Sequence, residues 1–296
     1  MSESIILGLW PIAGITTIGV TAEDAKGTIA AAIDCGVRRF DTAFSYGFDG
    51  ESDRLIGSFL QKDRDDFELI GKVGQRWDSN RSRIVDGSPE RLMGDAEESL
   101  RRSKLEHFDL MMLHGVDPDV PVTESAAAML SMIKRGLAKR VGLCNATEAQ
   151  RQEFASVVVC DAIQCPLNLL QQETLANVIA PANNAGTKSH VYWTLMKGLL
   201  AGKITRDHEF AEGDSRPSYP VFQGEQRENA HRIVDGLAEI ASAEGKTVAQ
   251  LSIGWVQSQP GVDAALVGAR RPEQAKELAG AEKLHDRVVN KINDLL

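Results

Sequence analysis

Four polar side chains with complementary chemistry occur early in the sequence: Asp41, Tyr46, Lys72 and His114. A phenol has an ordinary pKa of about 10 and is a weak proton donor at pH 7. A neighbouring ammonium lowers that pKa because it stabilises the phenolate, and a carboxylate keeps the ammonium charged. A neutral imidazole donates a hydrogen bond to a carbonyl oxygen as negative charge develops there. The set predicts a site that protonates a carbonyl oxygen while a hydride arrives at the carbon.

Each of these residues also has an ordinary structural role when it is taken alone. Asp41 suits a turn or helix cap, and Lys72 suits a surface cation. His114 suits a buried histidine, and Tyr46 a packing aromatic in a turn. Their common position favours the chemical role, because each one ends or follows a predicted strand.

Short β-rich runs alternate with amphipathic helical segments along the chain. Strands are predicted at 4–9, 37–41, 67–72, 108–113, 140–143, 161–164, 191–195 and 264–267. Helices are predicted at 21–36, 52–60, 88–100, 124–134, 171–179, 226–243, 248–257 and 272–278. Thr21 with Asp24 resembles a capping box, Gly36 suits a helix end, and Ser88 before Pro89 suits an N-cap. Eight strands, each followed by helical sequence, imply parallel pairing with right-handed crossovers.

Two architectures fit this alternation, a (β/α)8 barrel and a doubly wound open sheet. An open dinucleotide-binding sheet carries G-x-G-x-x-G directly after a strand, and that pattern is absent. We therefore predict an α/β fold, a single (β/α)8 TIM barrel domain over residues 1–296. Chemistry in such barrels is located at the carboxyl ends of the strands, where the four polar residues are predicted to lie.

Composition excludes several classes of protein. The 296 residues are 43% hydrophobic and carry 33 Lys+Arg against 42 Asp+Glu, a net charge of −9. This composition disfavours disorder, fibres and nucleic-acid binding, since phosphate backbones attract clustered cations. The uncharged run at 4–22 is interrupted by proline and glycines, which disfavours a signal peptide or membrane span. Cysteines 35, 144, 160 and 165 lack zinc-ligand spacing, so we expect no metal and reduced thiols in a cytoplasmic protein.

Seven segments resemble the aldo-keto reductase superfamily, in the family's order and over essentially the whole chain. They are GVRRFDTAFSYG (36–47), FELIGKVG (67–74), FDLMMLHGVDP (108–118), RVGLCNAT (140–147), AIQCPLNLL (162–170), VYWTLMKGLLAGK (191–203) and VGARRPEQAKE (267–277). The resemblance implies a (β/α)8 barrel that reduces aldehydes or ketones with NAD(P)H. It implies that Tyr46 is the proton donor, that Lys72 and Asp41 tune it, and that His114 orients the carbonyl.

The resemblance also implies a cofactor site. Asn145 and Gln164 match the positions that hold the nicotinamide carboxamide, and Tyr192 matches the aromatic that stacks on the ring. The remaining cofactor positions are Lys197, Gly198 and Leu199 near the pyrophosphate, and Arg270, Gln274 and Glu277 near the adenosine. A guanidinium at Arg270 suits a 2′-phosphate, so NADP(H) is preferred and NAD(H) is the alternative. The loop at 202–226 is predicted to cover the cofactor.

Several residues depart from the family pattern. Cys144, Thr194 and Leu278 replace the usual serine, proline and asparagine of the cofactor site. Tryptophans that many members have just after the Lys72 and His114 positions are absent. Trp10 and Phe44 are left as the expected walls of a more open substrate pocket.

Two other functions remain open from the sequence. One is an NADPH-binding regulatory or accessory subunit with little turnover, since fold does not fix function. The other is a Schiff-base aldolase that uses Lys72. The expected partner is a small carbonyl substrate, and the sequence does not indicate its identity or the oligomeric state.

Overall fold

The computed structural model describes residues 4–14 and 18–296 of the chain. Eight parallel strands close into a barrel in which β1 pairs with both the second and the last barrel strand. The barrel strands are β1 Ile5–Gly8, β2 Arg39–Asp41, β3 Glu68–Val73, β6 Phe108–Leu113, β7 Ala138–Cys144, β8 Ala162–Pro166, β9 Lys188–Tyr192 and β10 Ala264–Gly268. The (β/α)8 fold predicted from the sequence is confirmed. The predicted domain range also includes residues 1–3 and 15–17, which lie outside the described residues.

Helices cover the outside of the barrel. They are α1 Ala22–Asp34, α2 Glu51–Leu60, α3 Pro89–Ser103, α4 Val122–Lys134, α5 Glu148–Ala155, α6 Ala180–Asn184, α7 Gly224–Glu244, α8 Val248–Gln257, α9 Pro272–Ala279 and α10 Asp286–Asn293. A π-helical turn at Leu175–Ile179 precedes α6. Within the described ranges, no helix is both long and apolar enough to span a bilayer.

Local sequence signals explain where α1 begins and ends. Thr21 and Asp24 form the predicted capping box, because each side chain bonds the other residue's backbone N–H. Gly36 follows the helix with φ of +86°, a conformation that favours glycine. At α3 the N-cap prediction is correct only in position, since the Ser88 hydroxyl makes no capping bond and donates instead to Asp86 over 2.6 Å.

Apolar side chains form one layer inside the barrel and another between the strands and the helices. The inner cluster consists of Ile6, Ile70, Leu110, Met112, Cys144, Ala162 and Ala264. Close strand packing requires a glycine at position 142, where a Cβ would lie 2.2 Å from the carbonyl oxygen of Ala162. This packed interior forms the floor beneath the carboxyl ends of the strands.

Several predicted boundaries were wrong. The strand expected at 191–195 is Lys188–Tyr192, because Trp193 turns the chain with φ of +59°. The helix expected at 171–179 begins at Glu173, continues through the π-helical turn and extends into α6. The loop predicted at 202–226 contains two short 3-10 turns, Arg216–Ser218 and Pro220–Phe222, and it ends where α7 begins.

The sequence prediction also omitted a hairpin outside the barrel. Strands β4 Gln75–Trp77 and β5 Arg83–Val85 pair antiparallel directly after β3. Three-residue strands give too little alternation to be recognised from periodicity. Helices α5 and α10 were likewise not predicted.

Candidate active site

The carboxyl ends of β2, β3 and β6 bring the four predicted catalytic side chains into one cluster. Asp41 ends β2, Lys72 is the fifth residue of β3, and His114 directly follows β6. Tyr46 lies in the loop after β2, and its ring centre is 5.8 Å from that of His114. The parallel strands of the barrel therefore bring together groups that are up to 73 residues apart in the sequence.

A buried ion pair occupies the centre of the cluster. The Lys72 ammonium donates a hydrogen bond to the Asp41 carboxylate and another, of 3.1 Å, to the carbonyl oxygen of Thr42. Its third contact is the Tyr46 hydroxyl oxygen at 3.0 Å. The Lys72 and Asp41 side chains are 3% and 0% exposed. Since an ammonium has three donors, all of them are engaged, and the charge is held beside the phenol.

The pKa of Tyr46 differs in direction from the sequence prediction. Burial raises that pKa to about 12, and the Lys72 ammonium only partly opposes the rise while the Asp41 carboxylate adds to it. The expected net lowering was therefore wrong, because the sequence identifies the neighbouring charge but not the depth of burial. The phenol is protonated at neutral pH and has a proton to donate.

Two further titratable groups, Lys72 and His114, keep the charge states that the chemistry requires. Burial disfavours the Lys72 ammonium, but Asp41, Tyr46 and Cys144 together outweigh that effect, and the pKa of Lys72 is raised. Burial, together with the charges of Lys72 and Arg83, lowers the pKa of His114 well below its ordinary value. His114 is therefore a neutral imidazole at pH 7, as the sequence analysis assumed.

Asn145, Gln164 and Tyr192 lie on the adjoining strands of the same rim. Asn145 follows β7, donates to the carbonyl oxygen of His114 over 3.1 Å, and accepts from the Tyr192 hydroxyl over 2.5 Å. Gln164 on β8 donates to Asp41 over 2.8 Å. An amide NH₂ has two donor hydrogens, so each amide keeps one for a ligand. The N-cap of the following helix α5 is Thr147.

The predicted pyrophosphate loop has an unusual backbone. Lys197 and Gly198 have φ of +54° and +95°, and the Leu199 side chain is fully buried. The Lys197 ammonium lies 5.1 Å from the ring centre of Trp193 and 4.1 Å from that of Tyr219. Neither aromatic contact was predicted, and the one with Tyr219 connects this loop to the segment after residue 202.

The predicted adenosine-binding residues lie around the start of α9. Gln274 accepts a 2.8 Å hydrogen bond from the backbone N–H of Arg270, and Glu277 forms a 2.5 Å ion pair with Lys203. In the described part of the chain, the Arg270 guanidinium has no ion pair or hydrogen bond. Burial and the nearby charges of Arg216 and Arg271 lower its pKa. Arg270 is thus a half-buried cation without an anionic partner in contact.

The two expected pocket walls have different surroundings. The Trp10 ring centre lies 5.1 Å from that of Tyr46, which places Trp10 beside the cluster as expected. Phe44 instead packs under the guanidinium groups of Arg76 and Arg102, at 5.6 and 4.7 Å. The role of Phe44 as a pocket wall stays a prediction.

The omitted hairpin supplies the aromatic and charged groups that the sequence analysis missed. Trp77 on β4 donates to the carbonyl oxygen of Ser45 over 2.9 Å, which attaches the hairpin to the loop that carries Tyr46. Arg83 on β5 lies over the rings of Trp10 and Trp77. A polar stretch between the two short strands was the one available signal for this hairpin.

Comparison with known proteins decides the family of this barrel. The sequence model described as "Aldo/keto reductase family" matches residues 4–296. The chain belongs to the aldo/keto reductase family. Both the family and the fold that we predicted from the sequence are thereby confirmed, and the chain belongs to a family of oxidoreductases that use nicotinamide cofactors.

Individual aldo/keto reductases resemble this chain over nearly its full length. Aldo-keto reductase YhdN of Bacillus subtilis is 33% identical over 281 residues, or 94% of this chain and 84% of the relative. The NADH-specific methylglyoxal reductase of Escherichia coli is 27% identical, over 93% of this chain and 88% of that protein. The structure of glycerol dehydrogenase AKR11B4 from Gluconobacter oxydans has a TM-score of 0.91 and 31% identity, with 99% of this chain and 91% of that chain covered.

Proposed function

We propose that this aldo/keto reductase reduces an aldehyde or ketone to an alcohol, with NAD(P)H as hydride source and Tyr46 as proton donor. One observation carries the proposal. The Tyr46 hydroxyl lies 3.0 Å from a buried ammonium that is paired with Asp41, beside the ring of a neutral histidine. These are the groups that a carbonyl oxygen needs when it gains a proton.

The side chains divide the work according to their charge states. Tyr46 is protonated and gives its proton to the carbonyl oxygen, and the Lys72 ammonium stabilises the phenolate that remains. Nδ1 of His114 is buried without a hydrogen-bond partner in the described structure. A neutral imidazole has one donor nitrogen, so the proton is best placed on Nε2, where it is available to the carbonyl oxygen. The bound nicotinamide supplies the hydride.

The residues of the rim fit a nicotinamide cofactor. Asn145 and Gln164 each keep one free amide N–H, which suits the oxygen of a carboxamide. Tyr192 offers a partly exposed ring on the next strand. The backbone turn at Lys197 and Gly198 suits the pyrophosphate. The segment at 202–223, whose Tyr219 contacts Lys197, would cover the pyrophosphate.

We further propose a preference for NADPH over NADH. The support is Arg270, a half-buried guanidinium whose neighbours include two further arginines and which contacts no carboxylate in the described structure. Such a group suits a 2′-phosphate, which accepts bidentate hydrogen bonds. The E. coli relative named as NADH-specific shows that the family also contains the opposite preference.

The central test is Tyr46→Phe, assayed by NADPH oxidation with a nitrobenzaldehyde and by NADPH fluorescence titration. We expect kcat to fall by roughly 10²- to 10⁴-fold, because general acid catalysis contributes about that much, while the Kd of NADPH changes little. Wild-type turnover in the variant would show that Tyr46 is not the proton donor. Tight NADPH binding by the wild-type chain without turnover of any carbonyl would favour the accessory-subunit function instead.

Cofactor preference is tested with Arg270→Ala and the control Arg271→Ala. We expect the first change to raise the Kd of NADPH roughly 10- to 100-fold with a smaller effect on NADH, since a charged hydrogen bond is lost. Arg271 already pairs with Asp24 and donates a hydrogen bond to the carbonyl oxygen of Gly19. Its removal should therefore not alter the ratio of the Kd of NADPH to the Kd of NADH. Equal loss for both cofactors in Arg270→Ala would contradict the assignment.

The aldolase function is disfavoured by the ion pair. A Schiff-base lysine must lose its proton to attack a carbonyl, whereas Asp41 keeps Lys72 protonated. Borohydride treatment with a carbonyl substrate should therefore leave Lys72 unmodified.

A further inference from the structure

The hairpin of β4 and β5 places one cation at the edge of the proposed substrate pocket. The guanidinium carbon of Arg83 lies 4.8 Å from the ring centre of Trp10 and 4.9 Å from that of Trp77. Trp77 is in turn attached to the Tyr46 loop through the carbonyl oxygen of Ser45. The position of Arg83 is therefore set by two aromatic rings on separate segments of the chain.

No group in the described part of the chain neutralises this cation. Across residues 4–14 and 18–296, Arg83 has neither an ion pair nor a hydrogen bond, and only two tyrosines act to raise its pKa. By contrast, Arg76 of the same hairpin pairs with Asp95. Stacking occupies the faces of a guanidinium and leaves the N–H donors at its edge free. The Arg83 guanidinium is thus positioned by two aromatic rings, and its N–H donors are available to a ligand.

Arg83 is also close to the reacting groups. Its guanidinium carbon lies 4.8 Å from the Trp10 ring centre, which lies 5.1 Å from the Tyr46 ring centre, so Arg83 is within about 10 Å of that ring. Its charge acts on His114 as well. A short molecule can therefore contact Tyr46 and Arg83 at the same time.

We propose that Arg83 binds an anionic group of the substrate, so that the enzyme prefers aldehydes or ketones that carry a carboxylate or phosphate several bonds from the carbonyl. The proposal rests on the carbonyl reductase function proposed above and adds the class of substrate. Both anions accept paired hydrogen bonds from one guanidinium, which is the chemistry that they share.

The test compares matched pairs of carbonyl compounds. One pair is 4-formylbenzoate and the neutral 4-formylbenzamide, and the other is glyceraldehyde 3-phosphate and glyceraldehyde. In the wild-type enzyme we expect the anionic member of at least one pair to have the higher kcat/KM. In Arg83→Gln the ratio of anionic to neutral kcat/KM should fall roughly 10- to 100-fold, the value of a charged hydrogen bond. The pair that responds identifies the anion as a carboxylate or a phosphate ester.

Arg81→Gln is the matched control. Arg81 lies in the same hairpin and stacks on Phe48 at 4.4 Å, away from Trp10 and Tyr46. In Arg81→Gln we expect the ratio of anionic to neutral kcat/KM to equal that of the wild-type enzyme. Arg83→Lys, which keeps the charge without the paired donors, should retain part of the preference.

The outcomes separate this proposal from the one on which it rests. If the neutral aldehydes are reduced but Arg83→Gln leaves both ratios unchanged, the anion subsite is refuted and the reductase function stands. If Arg81→Gln lowers the ratios as much as Arg83→Gln, the effect is one of overall charge and the subsite is again refuted. If the wild-type enzyme reduces none of the four compounds and does not bind NADPH, the proposed function itself fails.

Discussion

Removing the carboxylate from the buried ion pair should destabilise the protein while preserving the shape of the site. In Asp41→Asn the Lys72 ammonium, 3% exposed, loses its counterion. Breaking a buried pair in this way costs about 3–5 kcal/mol, because an uncompensated charge stays in the interior. With an unfolding entropy of about 2.1 cal/mol/K per residue, a chain of 296 residues should lose roughly 5–8 °C in Tm.

The sign of the pH dependence gives a second check on the same variant. Without Asp41, burial should lower the folded-state pKa of Lys72 below its unfolded value of about 10.4. The unfolded state then binds more protons, so the free energy of unfolding should rise from pH 7 to pH 10. In the wild-type protein the pKa of Lys72 is raised instead, and this rise should be absent.

Urea unfolding of the single and double variants is the appropriate assay. Asp41→Asn combined with Lys72→Met removes both charges, so it should recover stability to within about 1–2 kcal/mol of the wild type without recovering turnover. If Asp41→Asn costs less than about 1 kcal/mol, or if the double variant is no more stable than the single one, the buried-charge reasoning is refuted. Far-UV circular dichroism checks that each variant is folded.

Two further predictions concern the body of the barrel. Burial and the nearby Arg39 lower the pKa of His190 to about 3, so its contribution to stability is lost as pH falls below 6.5. The loss in the free energy of unfolding is about 2 kcal/mol between pH 7 and pH 5. In His190→Gln the decrease in the free energy of unfolding over this pH range should be smaller by that amount. Gly57→Ala should destabilise the protein by about 1–3 kcal/mol or more, because the new Cβ would lie 2.0 Å from the carbonyl oxygen of Ser103. Gly94→Ala, which meets open space on α3, should be neutral or stabilising, and equal effects of the two changes in thermal unfolding would contradict the steric argument.

Strand prediction succeeded where the hydrophobic run and the strand coincide. Residues 108–113 form β6 over the whole predicted range, since every position except Asp109 is apolar. The Asp109 carboxylate pairs with Arg64 and Lys139. The prediction at 191–195 was displaced because β9 begins with Lys188, Ser189 and His190, which look like loop residues. Burial of His190 beside Arg39 depends on the opposite side of the barrel, and no local pattern reports it.

The sequence predicted where the candidate residues on the barrel strands lie, but it did not predict the position of the residues on the hairpin. Asp41 and Lys72 lie near the carboxyl ends of barrel strands and His114 directly follows one, so the parallel topology alone brings them to one rim. Trp77 and Arg83 lie on three-residue strands whose position depends on the contact with the Ser45 carbonyl oxygen. The contact of Phe44 with Arg102 of α3 was not predicted, because it joins segments that are far apart in the sequence.

The sequence by itself determined the barrel and the family, since alternating strands and helices admit few parallel topologies and the motifs occur in one order. It also determined which titratable groups meet. Only the tertiary structure decided the pKa shifts of these groups. The pKa of Tyr46 rises although an ammonium lies 3.0 Å away, because desolvation depends on every atom packed around the phenol. Likewise, Arg83 is an ordinary surface arginine in the sequence, and only the fold stacks it on two tryptophans with its donors free.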